Sequence, residues 1–358
     1  MTAHIKLFIP GPTEVRPEVL QAMAHPMIGH RGRAFEDLFA RLQPRLRQLF
    51  ATASRVYIST SSGTGLWEAA SRNCVRDDRP ILHLVNGAFS ERWAQVSAAN
   101  GKRVARYDVP WGQAIRPEQV AQALKADRYD AVALVHNETS TGVINPLAEI
   151  AAVVREHADT LLLVDAVSSL GGASVDVDGW GLDVCLTSSQ KCLALPPGLS
   201  FAAVSDRALA RAQEVPHRGY YFDFLELERM LARNHTPATP AIPLLYALDV
   251  QLDRILSEGL PARFARHAQM AARVQAWAAE RFALFAEEGY RSPTLTTITN
   301  TRQIDVEALN AFLRERGMQI SNGYGKLKGA TFRIAHMGDL TLDEIEELLA
   351  AIHAFLDR

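Results

Sequence analysis

An aspartate and a lysine lie at the ends of two stretches that are separated by about one strand–crossover–strand unit. Asp165 ends the apolar run 161–165, and Lys191 ends the polar stretch 187–191. Such a lysine can form a Schiff base with the aldehyde of pyridoxal phosphate, and such a carboxylate can keep its pyridine nitrogen protonated. Alone, the aspartate is more often a turn residue and the lysine a surface charge. The chemical interpretation therefore depends on the surrounding sequence.

A loop rich in small residues joins an earlier strand-like run to a helical pattern. It extends from Ser59 to Glu68 and contains Gly63 and Gly65. Small residues at a helix N-terminus expose backbone N–H groups, and the helix dipole favours a phosphate there. A dinucleotide fingerprint fails because Glu68 occupies the third glycine position, and a Walker loop fails because no Gly-Lys-Ser/Thr follows. A plain turn with an N-cap remains the alternative.

Further loops after strand-like runs offer other groups. Phe89, in the stretch 86–93, could stack on a planar cofactor, although an aromatic residue near a strand end more often belongs to the core. The stretch 136–143 carries short polar side chains that could bond a phenolic oxygen. The stretch 176–183 resembles a calcium loop, but its glycine comes too early and no glutamate occupies the twelfth position of the loop. We therefore predict no metal site.

Short apolar or β-branched runs alternate with helical patterns between about Val56 and Ser205. Several runs are apolar throughout, which suits strands that are covered on both faces. The alternation predicts an α/β domain with a mainly parallel sheet, whose ligands bind at the carboxyl ends of the strands. The runs are 56–59, 81–85, 103–107, 131–135, 161–164, 184–187 and 199–204.

The pattern changes after about Pro243 and predicts a smaller α+β domain. Helical patterns cover 244–258, 262–287 and 305–316, and strand-like runs cover 294–299 and 331–335. A capping box at 341–344 begins a last helix. We divide the chain into an N-terminal segment (1–20), a large α/β domain (21–250) and a small C-terminal α+β domain (251–358).

Composition restricts the classes of partner and location. The 358 residues carry a formal net charge of −2, so no excess of positive charge favours nucleic acid or an anionic membrane. No apolar run approaches the length of a membrane span, and the N-terminal residues do not resemble a secretion signal. Cys74, Cys185 and Cys192 match neither a disulfide framework nor a zinc site. We expect a cytoplasmic protein.

Together these stretches resemble the class V aminotransferases of pyridoxal-phosphate fold type I, in particular the alanine–glyoxylate and serine–pyruvate aminotransferases. The resemblance runs essentially from end to end of the chain. Its most specific part is the pair formed by Asp165-Ala-Val-Ser-Ser169 and Ser189-Gln-Lys191. The other matching stretches are 10–13, 29–31, 61–64, 136–142, 164–172, 236–240 and 332–338.

The resemblance implies a role for each of several residues. Lys191 would carry the cofactor, Asp165 would pair with its pyridine nitrogen, and Thr139 would bond its phenolic oxygen. Arg333 would bind the substrate carboxylate with a bidentate fork. The cofactor phosphate would be held by Ser62, Gly63, Thr64 and Gln190, and across a homodimer interface by Thr239, with Thr236 as a further candidate.

The stacking aromatic residue is the point at which the chain departs from this family. Close relatives often have a tryptophan there, whereas the matching position holds Phe89. Trp93 follows one helical turn later and competes for the same role. Both residues remain candidates for stacking on the cofactor.

The resemblance also implies a reaction. An amino group would move from a small amino acid (alanine or serine) to a small 2-oxo acid (glyoxylate or pyruvate), through a Lys191 Schiff base and a pyridoxamine form of the cofactor. An aspartate-type transaminase remains an alternative, with Arg31, Arg33 and Arg218 as loose candidates for a second carboxylate partner. Another reaction of the same fold, such as cysteine desulfuration, needs a reactive cysteine late in the chain, and none follows Cys192. A non-catalytic regulator would lack the lysine or carry an added DNA-binding domain, and the sequence indicates neither.

Overall fold

The computed structural model describes residues 4–358, and most of its strands belong to two sheets. The strands in chain order are β1 (Lys6–Phe8), β2 (Arg55–Ser59), β3 (Ile81–Val85), β4 (Val104–Asp108), β5 (Ala131–Val135), β6 (Asn137–Glu138), β7 (Val143–Ile144), β8 (Leu161–Asp165), β9 (Val184–Ser188), β10 (Ser200–Val204), β11 (Ala283–Leu284), β12 (Leu295–Thr299), β13 (Met318–Asn322) and β14 (Thr331–Ala335). The short strands β6 and β7 form a separate two-stranded ribbon.

The helices alternate with these strands in the first two-thirds of the chain. They are α1 (Pro17–Ala22), α2 (Arg33–Phe50), α3 (Gly63–Cys74), α4 (Ala88–Ala99), α5 (Pro117–Ala126), α6 (Leu147–Arg155), α7 (Val177–Trp180), α8 (Asp206–Glu214), α9 (Phe224–Leu231), α10 (Ile242–Glu258), α11 (Leu260–Arg281), α12 (Val306–Arg314) and α13 (Leu342–Leu356). The predicted capping box is present, because Thr341 and Glu344 bond each other's backbone N–H groups at the start of α13. Across residues 4–358, no helix combines the length and apolar character that a membrane span requires.

The first sheet has the strand order β2-β10-β9-β8-β5-β3-β4. The pairs from β9 to β4 are parallel, whereas β10 runs antiparallel to both of its neighbours, β2 and β9. This arrangement confirms the prediction of an α/β fold with a mainly parallel sheet.

Helices cover both faces of the first sheet. Along β8, Leu162 and Val164 pack in one core with residues of α2, α5, α6 and α10. Leu161 and Leu163 pack in a second core with residues of α3, α4, α8 and α9. Because successive strand residues point to opposite faces, the continuous apolar runs of the sequence fill both cores.

The carboxyl ends of β2, β5, β8 and β9 meet at one edge of this sheet. Ser59 at the end of β2 pairs with Ser200, which in turn pairs with Ser188 at the end of β9. Val135 at the end of β5 pairs with Asp165 at the end of β8. The loops that follow these strands therefore lie side by side, where ligands of such sheets bind.

The second sheet has the order β1-β13-β14-β12-β11 and packs with α11, α12 and α13 around one core. Its first strand comes from the N-terminal segment, because Lys6–Phe8 pairs in parallel with Met318–Ile320. The helix α10 crosses residue 250 without interruption. The division of the chain at residues 20 and 250 stays a prediction.

Two details of the C-terminal half differ from the sequence prediction. The helix predicted over 262–287 ends at Arg281, because Phe282 takes an extended backbone and packs in the core of the second sheet. The next residues, Ala283–Leu284, form β11 and pair with β12. The strands β1 and β13 have no clear sequence pattern. The first is only three residues long, and the second mixes polar and apolar residues on a partly buried strand.

Candidate active site

A cavity of about 250 Å³ lies at the edge where the carboxyl ends of the strands meet. Its lining residues come from the loops after β2, β3, β5, β8 and β9 and from the N-terminal segment. The predicted site residues among them are Ser62, Gly63, Thr64, Phe89, Thr139, Asp165, Gln190 and Lys191. A larger open groove of about 760 Å³ is lined by ion pairs such as Arg263 with Asp339 and contains none of the predicted residues.

The N-terminal segment packs directly on the lysine turn. The Nζ of Lys191 donates a hydrogen bond to the carbonyl oxygen of Pro10. Thr13 donates to the carbonyl oxygens of Gln190 (3.1 Å, backbone N) and Lys191 (2.9 Å, Oγ1). Gly11 has a φ of +127°, and a Cβ on it would lie 2.8 Å from Cδ of Lys191, so only glycine fits beside the lysine.

The amine of Lys191 is readily deprotonated. Removal of the amine from water lowers the pKa of Lys191 to about 8, and the positive charge of Arg333 acts in the same direction. A lysine with this pKa is present partly as the neutral amine near neutral pH. The neutral amine is the form that attacks an aldehyde or accepts a proton.

The carboxylate of Asp165 is held at both oxygens. Nε1 of Trp67 donates to its Oδ2 at 2.7 Å, and the backbone N of Val167 donates to its Oδ1 at 2.7 Å. Burial raises the pKa of Asp165 to about 6, although these two hydrogen bonds act in the opposite direction. The side chain is thus fixed in one orientation at the end of β8.

The N-terminus of α3 offers a place for an anion. The helix begins at Gly63 with Ser62 as its N-cap, and a Cβ on Gly63 would lie 2.9 Å from Cγ2 of Val167. The nearby Oγ of Ser188 is buried and has no hydrogen-bond partner within residues 4–358. Free N–H groups at a helix N-terminus together with an unpaired hydroxyl fit the needs of a bound phosphate.

The loop after β5 adds two more polar groups to the cavity. Nδ2 of Asn137 donates to the carbonyl oxygen of Ser168 (2.7 Å) and to Oγ1 of Thr294 (2.8 Å). Because Nδ2 of the amide uses its two N–H groups on these acceptors, Oδ1 remains a buried acceptor without a partner among the described residues. Oγ1 of Thr139 lies 2.6 Å from Oγ of Ser168. A ligand with polar substituents would find partners here.

The structure brings Phe89 to the cavity and places Trp93 elsewhere. The ring centroid of Phe89 lies 6.0 Å from Nζ of Lys191. Trp93 is fully buried and stacks on Trp67 with a centroid distance of 5.9 Å. Glu138 fixes the start of α4, since its carboxylate accepts from the backbone N of Phe89 (3.2 Å) and of Ser90 (2.9 Å).

Arg333 lies next to the cavity but is not among its lining residues. Its Nη1 donates to the carbonyl oxygen of Thr139 and its Nε to that of Asn322, each at 3.2 Å. Burial lowers the pKa of Arg333 to about 10. The other arginines considered from the sequence are engaged away from the cavity: Arg31 with the carbonyl oxygen of Thr236, Arg33 with Asp37, and Arg218 with Asp223.

Comparison with known proteins shows the family of this chain. A family model described as aminotransferase class-V matches residues 5–347. The chain is a class V aminotransferase. Its fold is type I of the pyridoxal-phosphate-dependent transferases, with a mainly parallel central sheet.

Two relatives and one solved structure illustrate the similarity of this class V aminotransferase. An aminotransferase of Methanocaldococcus jannaschii is 40% identical over 98% of this chain and 92% of its own length. The L-aspartate–glyoxylate aminotransferase of Paracoccus denitrificans is 34% identical over 95% of this chain and 88% of its own length. The crystal structure of alanine–glyoxylate aminotransferase from Nostoc sp. superposes with a TM-score of 0.94 at 32% identity, covering 99% of this chain and 96% of that chain.

Thr236 and Thr239 of this class V aminotransferase lie outside the Lys191 cavity of their own chain. Both line a separate shallow groove together with Ser59 and Thr60. Oγ1 of Thr236 donates to the carbonyl oxygen of Ala238 at 2.7 Å, whereas Oγ1 of Thr239 lies 3.4 Å from Nε2 of His30. Their predicted role toward a second subunit stays a prediction.

Several cavity residues of the aminotransferase have no role in the sequence analysis. Trp67, Asn137 and Ser188 each lie within or beside a motif that the sequence does identify. Trp67 is the fourth residue after Gly63, so one helical turn places it beside the cavity. Gly11 belongs to the Pro10–Thr13 stretch. Its contact with Lys191 depends on how the N-terminal segment passes from β1 in the second sheet to the lysine turn of the first sheet.

Proposed function

We propose that this class V aminotransferase moves an amino group from a small amino acid, alanine or serine, to a small 2-oxo acid, glyoxylate or pyruvate. Pyridoxal phosphate is its cofactor. One observation carries the proposal: the amine of Lys191, the fixed carboxylate of Asp165 and the N-terminus of α3 all face one cavity. These are the three groups that an aldehyde, a pyridine nitrogen and a phosphate require.

The residues of the cavity fit this cofactor. Ser62, Gly63, Thr64 and Gln190 would hold its phosphate, with the unpaired hydroxyl of Ser188 as an additional donor. Asp165 would pair with the pyridine nitrogen and Thr139 would bond the phenolic oxygen. When bound, pyridoxal phosphate supplies a ring that withdraws electrons from the substrate α-carbon.

The protein's own groups then act on the substrate. Nζ of Lys191 takes the proton from the substrate α-carbon, a task that suits its lowered pKa of about 8. Asp165 would pair with the pyridine nitrogen as a carboxylate, because its two hydrogen bonds favour the ionised form and oppose the effect of burial. The guanidinium of Arg333 binds the α-carboxylate and orients the α-carbon toward the lysine.

The preference for small neutral donors follows from the charges around the cavity. Arg333 can neutralise the α-carboxylate that every amino acid has. A distal carboxylate would need its own buried partner, since burying an unpaired charge is costly. The named relatives support glyoxylate as an acceptor, because the Paracoccus and Nostoc proteins both carry it in their names, with aspartate and alanine as their respective donors. The aspartate-type donor is thus the second candidate.

Desulfuration is disfavoured by the state of the cysteines. Burial raises the pKa of Cys192 to about 12, so this thiol is not ionised near neutral pH. Cys74 and Cys185 are also buried. A reactive thiolate on a mobile loop, which such chemistry needs, is therefore not offered by any of the three.

The half-reaction provides the test of the proposed function. L-alanine or L-serine, added to the holoenzyme without an acceptor, should convert the absorbance of the lysine-bound cofactor to that of pyridoxamine phosphate. Glyoxylate or pyruvate should then restore it. Conversion by aspartate or glutamate alone would contradict the small-donor proposal and would indicate an aspartate-type aminotransferase. Cleavage or desulfuration of an amino acid without pyridoxamine formation would contradict transamination.

A further inference from the structure

A hairpin between two strands of the second sheet contacts α4, a helix that covers the first sheet. It connects β13 to β14 and contains Tyr324 and the 3₁₀ turn Gly325–Leu327. The ring of Tyr324 stacks on that of Phe89, with a centroid distance of 5.1 Å and an interplanar angle of 23°. The hairpin therefore contacts a residue that lines the cavity, although Tyr324 itself is not a lining residue.

Arg92, on a helix that covers the first sheet, holds the tyrosine in place. It lies on α4, one turn after Phe89, and its Nη2 donates to the hydroxyl of Tyr324 at 2.5 Å. Its Cζ lies 5.8 Å from the Phe89 ring centroid and 5.7 Å from the Tyr324 ring centroid. A second contact supports the hairpin nearby, because Nζ of Lys326 lies 3.8 Å from the ring centroid of Trp111.

The hairpin backbone is built for this position. A Cβ on Gly323 would collide with the carbonyl oxygen of Leu327 and lie 2.5 Å from Oγ1 of Thr331. Gly325 has a φ of +58°, which places it in the left-handed region. These two glycines flank Tyr324 and permit the tight turn that presents its ring to α4.

Tyr324 also contacts the arginine assigned to the substrate. Cζ of Arg333 lies 5.5 Å from the Tyr324 ring centroid, and Nε of Arg333 donates to the carbonyl oxygen of Asn322 at the base of the hairpin. The tyrosine ring is therefore close both to Arg333 and to Phe89, which lines the cavity. A donor that places its carboxylate on Arg333 and its α-carbon toward Lys191 would bring its side chain close to this ring.

We propose that Tyr324 is a specificity-determining residue that limits the amino donor to small side chains. This inference rests on the proposed function, since it assumes that Arg333 binds the α-carboxylate. A longer side chain would displace the Tyr324 ring from Phe89, which would break both the aromatic stack and the hydrogen bond from Arg92. Alanine and serine side chains require no such movement.

The test is a side-chain size series in the half-reaction. Second-order rate constants are measured for alanine, 2-aminobutyrate, norvaline, leucine and phenylalanine with the wild-type holoenzyme and with Tyr324→Ala. The ratio of the leucine to the alanine rate constant should rise by roughly 10-fold or more in Tyr324→Ala, as expected when an apolar pocket gains room for additional methylene groups. Tyr324→Phe should keep the wild-type ratio, because it retains the ring.

A matched control is available in Tyr290, another half-buried tyrosine, whose ring lies 4.0 Å from Cζ of Arg116 and packs against the small cluster of Ala114, Val143 and Ala286. Tyr290→Ala should leave the size ratio unchanged. If Tyr324→Ala does not fold, Tyr324→Trp provides the opposite change and should lower the 2-aminobutyrate rate relative to alanine.

Two results would overturn the inference. One is an unchanged ratio in both Tyr324→Ala and Tyr324→Trp while alanine still reacts. The other is a Tyr324→Ala variant whose rate constant rises for aspartate but not for the larger apolar donors. That result would show that the release of Arg92 matters and the size of the ring does not. Failure of the proposed function is distinct, because the wild-type enzyme would then react with neither alanine nor serine.

Discussion

The indole Nε1–H of Trp67 donates a hydrogen bond of 2.7 Å to Oδ2 of Asp165. Trp67 lies one turn into α3, the helix that begins at Gly63 beside the unpaired hydroxyl of Ser188. One helix therefore provides both the proposed phosphate site at its N-terminus and the orientation of the acid. The hydrogen bond favours the ionised carboxylate and opposes the effect of burial, so it adjusts the charge on which the proposed electron withdrawal depends.

Asp165→Asn should keep the cofactor but lose turnover. The amide cannot hold a proton on the pyridine nitrogen, so turnover should fall by at least about 100-fold, the usual effect of removing one electrostatic group from an active site. Trp67→Phe retains the carboxylate and should lose less. Cofactor absorbance and steady-state alanine–glyoxylate turnover measure both effects. Turnover near the wild-type value in Asp165→Asn would remove this residue from the mechanism.

Lys191 should be the site of covalent attachment. Borohydride reduction of the holoenzyme fixes a pyridoxyl group to the lysine that holds it, and peptide mapping should place the added mass on Lys191. Lys191→Ala, treated in the same way, should carry no label. A label on the hairpin residue Lys326, on Lys102 or on any other lysine would show that the central assignment is wrong.

Cofactor loading should depend on pH through Lys191. Its pKa is lowered to about 8, so the amine is protonated and unreactive below that pH and neutral above it. The rate at which apoenzyme takes up pyridoxal phosphate should rise with pH to a plateau, with a midpoint near 8 rather than near the ordinary lysine value of about 10.4. Stopped-flow absorbance measures the rate. Arg333→Gln should move the midpoint upward, because it removes a positive charge that disfavours the ammonium ion.

Much of the site can be predicted from sequence because parallel strands bring their carboxyl ends together. Asp165, Lys191, Thr139 and the 62–64 loop each follow a strand, so the fold class alone places them in one region. Tyr324 could not be found in this way. Its position depends on how far a hairpin of the second sheet extends over α4, and neither the length of that hairpin nor the pairing of β13 has a sequence pattern.

Glu138 should be important for stability, although it is not proposed to touch the substrate. It is fully buried, and its carboxylate accepts from the backbone N of Phe89 and from both the backbone N and the hydroxyl of Ser90. Glu138→Gln places an amide NH₂ against these donors and should lower the free energy of unfolding by about 1–3 kcal/mol. Urea unfolding measures the change. The exposed Glu288→Gln is the control and should stay within about 0.5 kcal/mol of wild type. Equal stability of the two variants would contradict the anchoring role.

The shared site of the proposed homodimer can be tested with two defective variants. In its own chain Thr239 lines a groove separate from the Lys191 cavity, so its proposed contact with the phosphate must be made in the other subunit. Thr239→Ala should weaken cofactor binding by about 10-fold, the loss expected for one hydrogen bond to a charged group. Lys191→Ala should be inactive.

Mixed dimers of the two variants then distinguish a contact across the interface from a contact within one chain. If Thr239 acts across the interface, the subunit that keeps Lys191 receives an intact Thr239 from the Lys191→Ala subunit, and one complete site forms. The purified heterodimer should then have half the number of wild-type sites, and these should have the wild-type cofactor affinity and activity. If Thr239 acts within its own chain, every site with Lys191 still lacks Thr239, and no site of wild-type affinity appears. That result, or a fully active monomer by mass measurement in solution, would contradict the shared site.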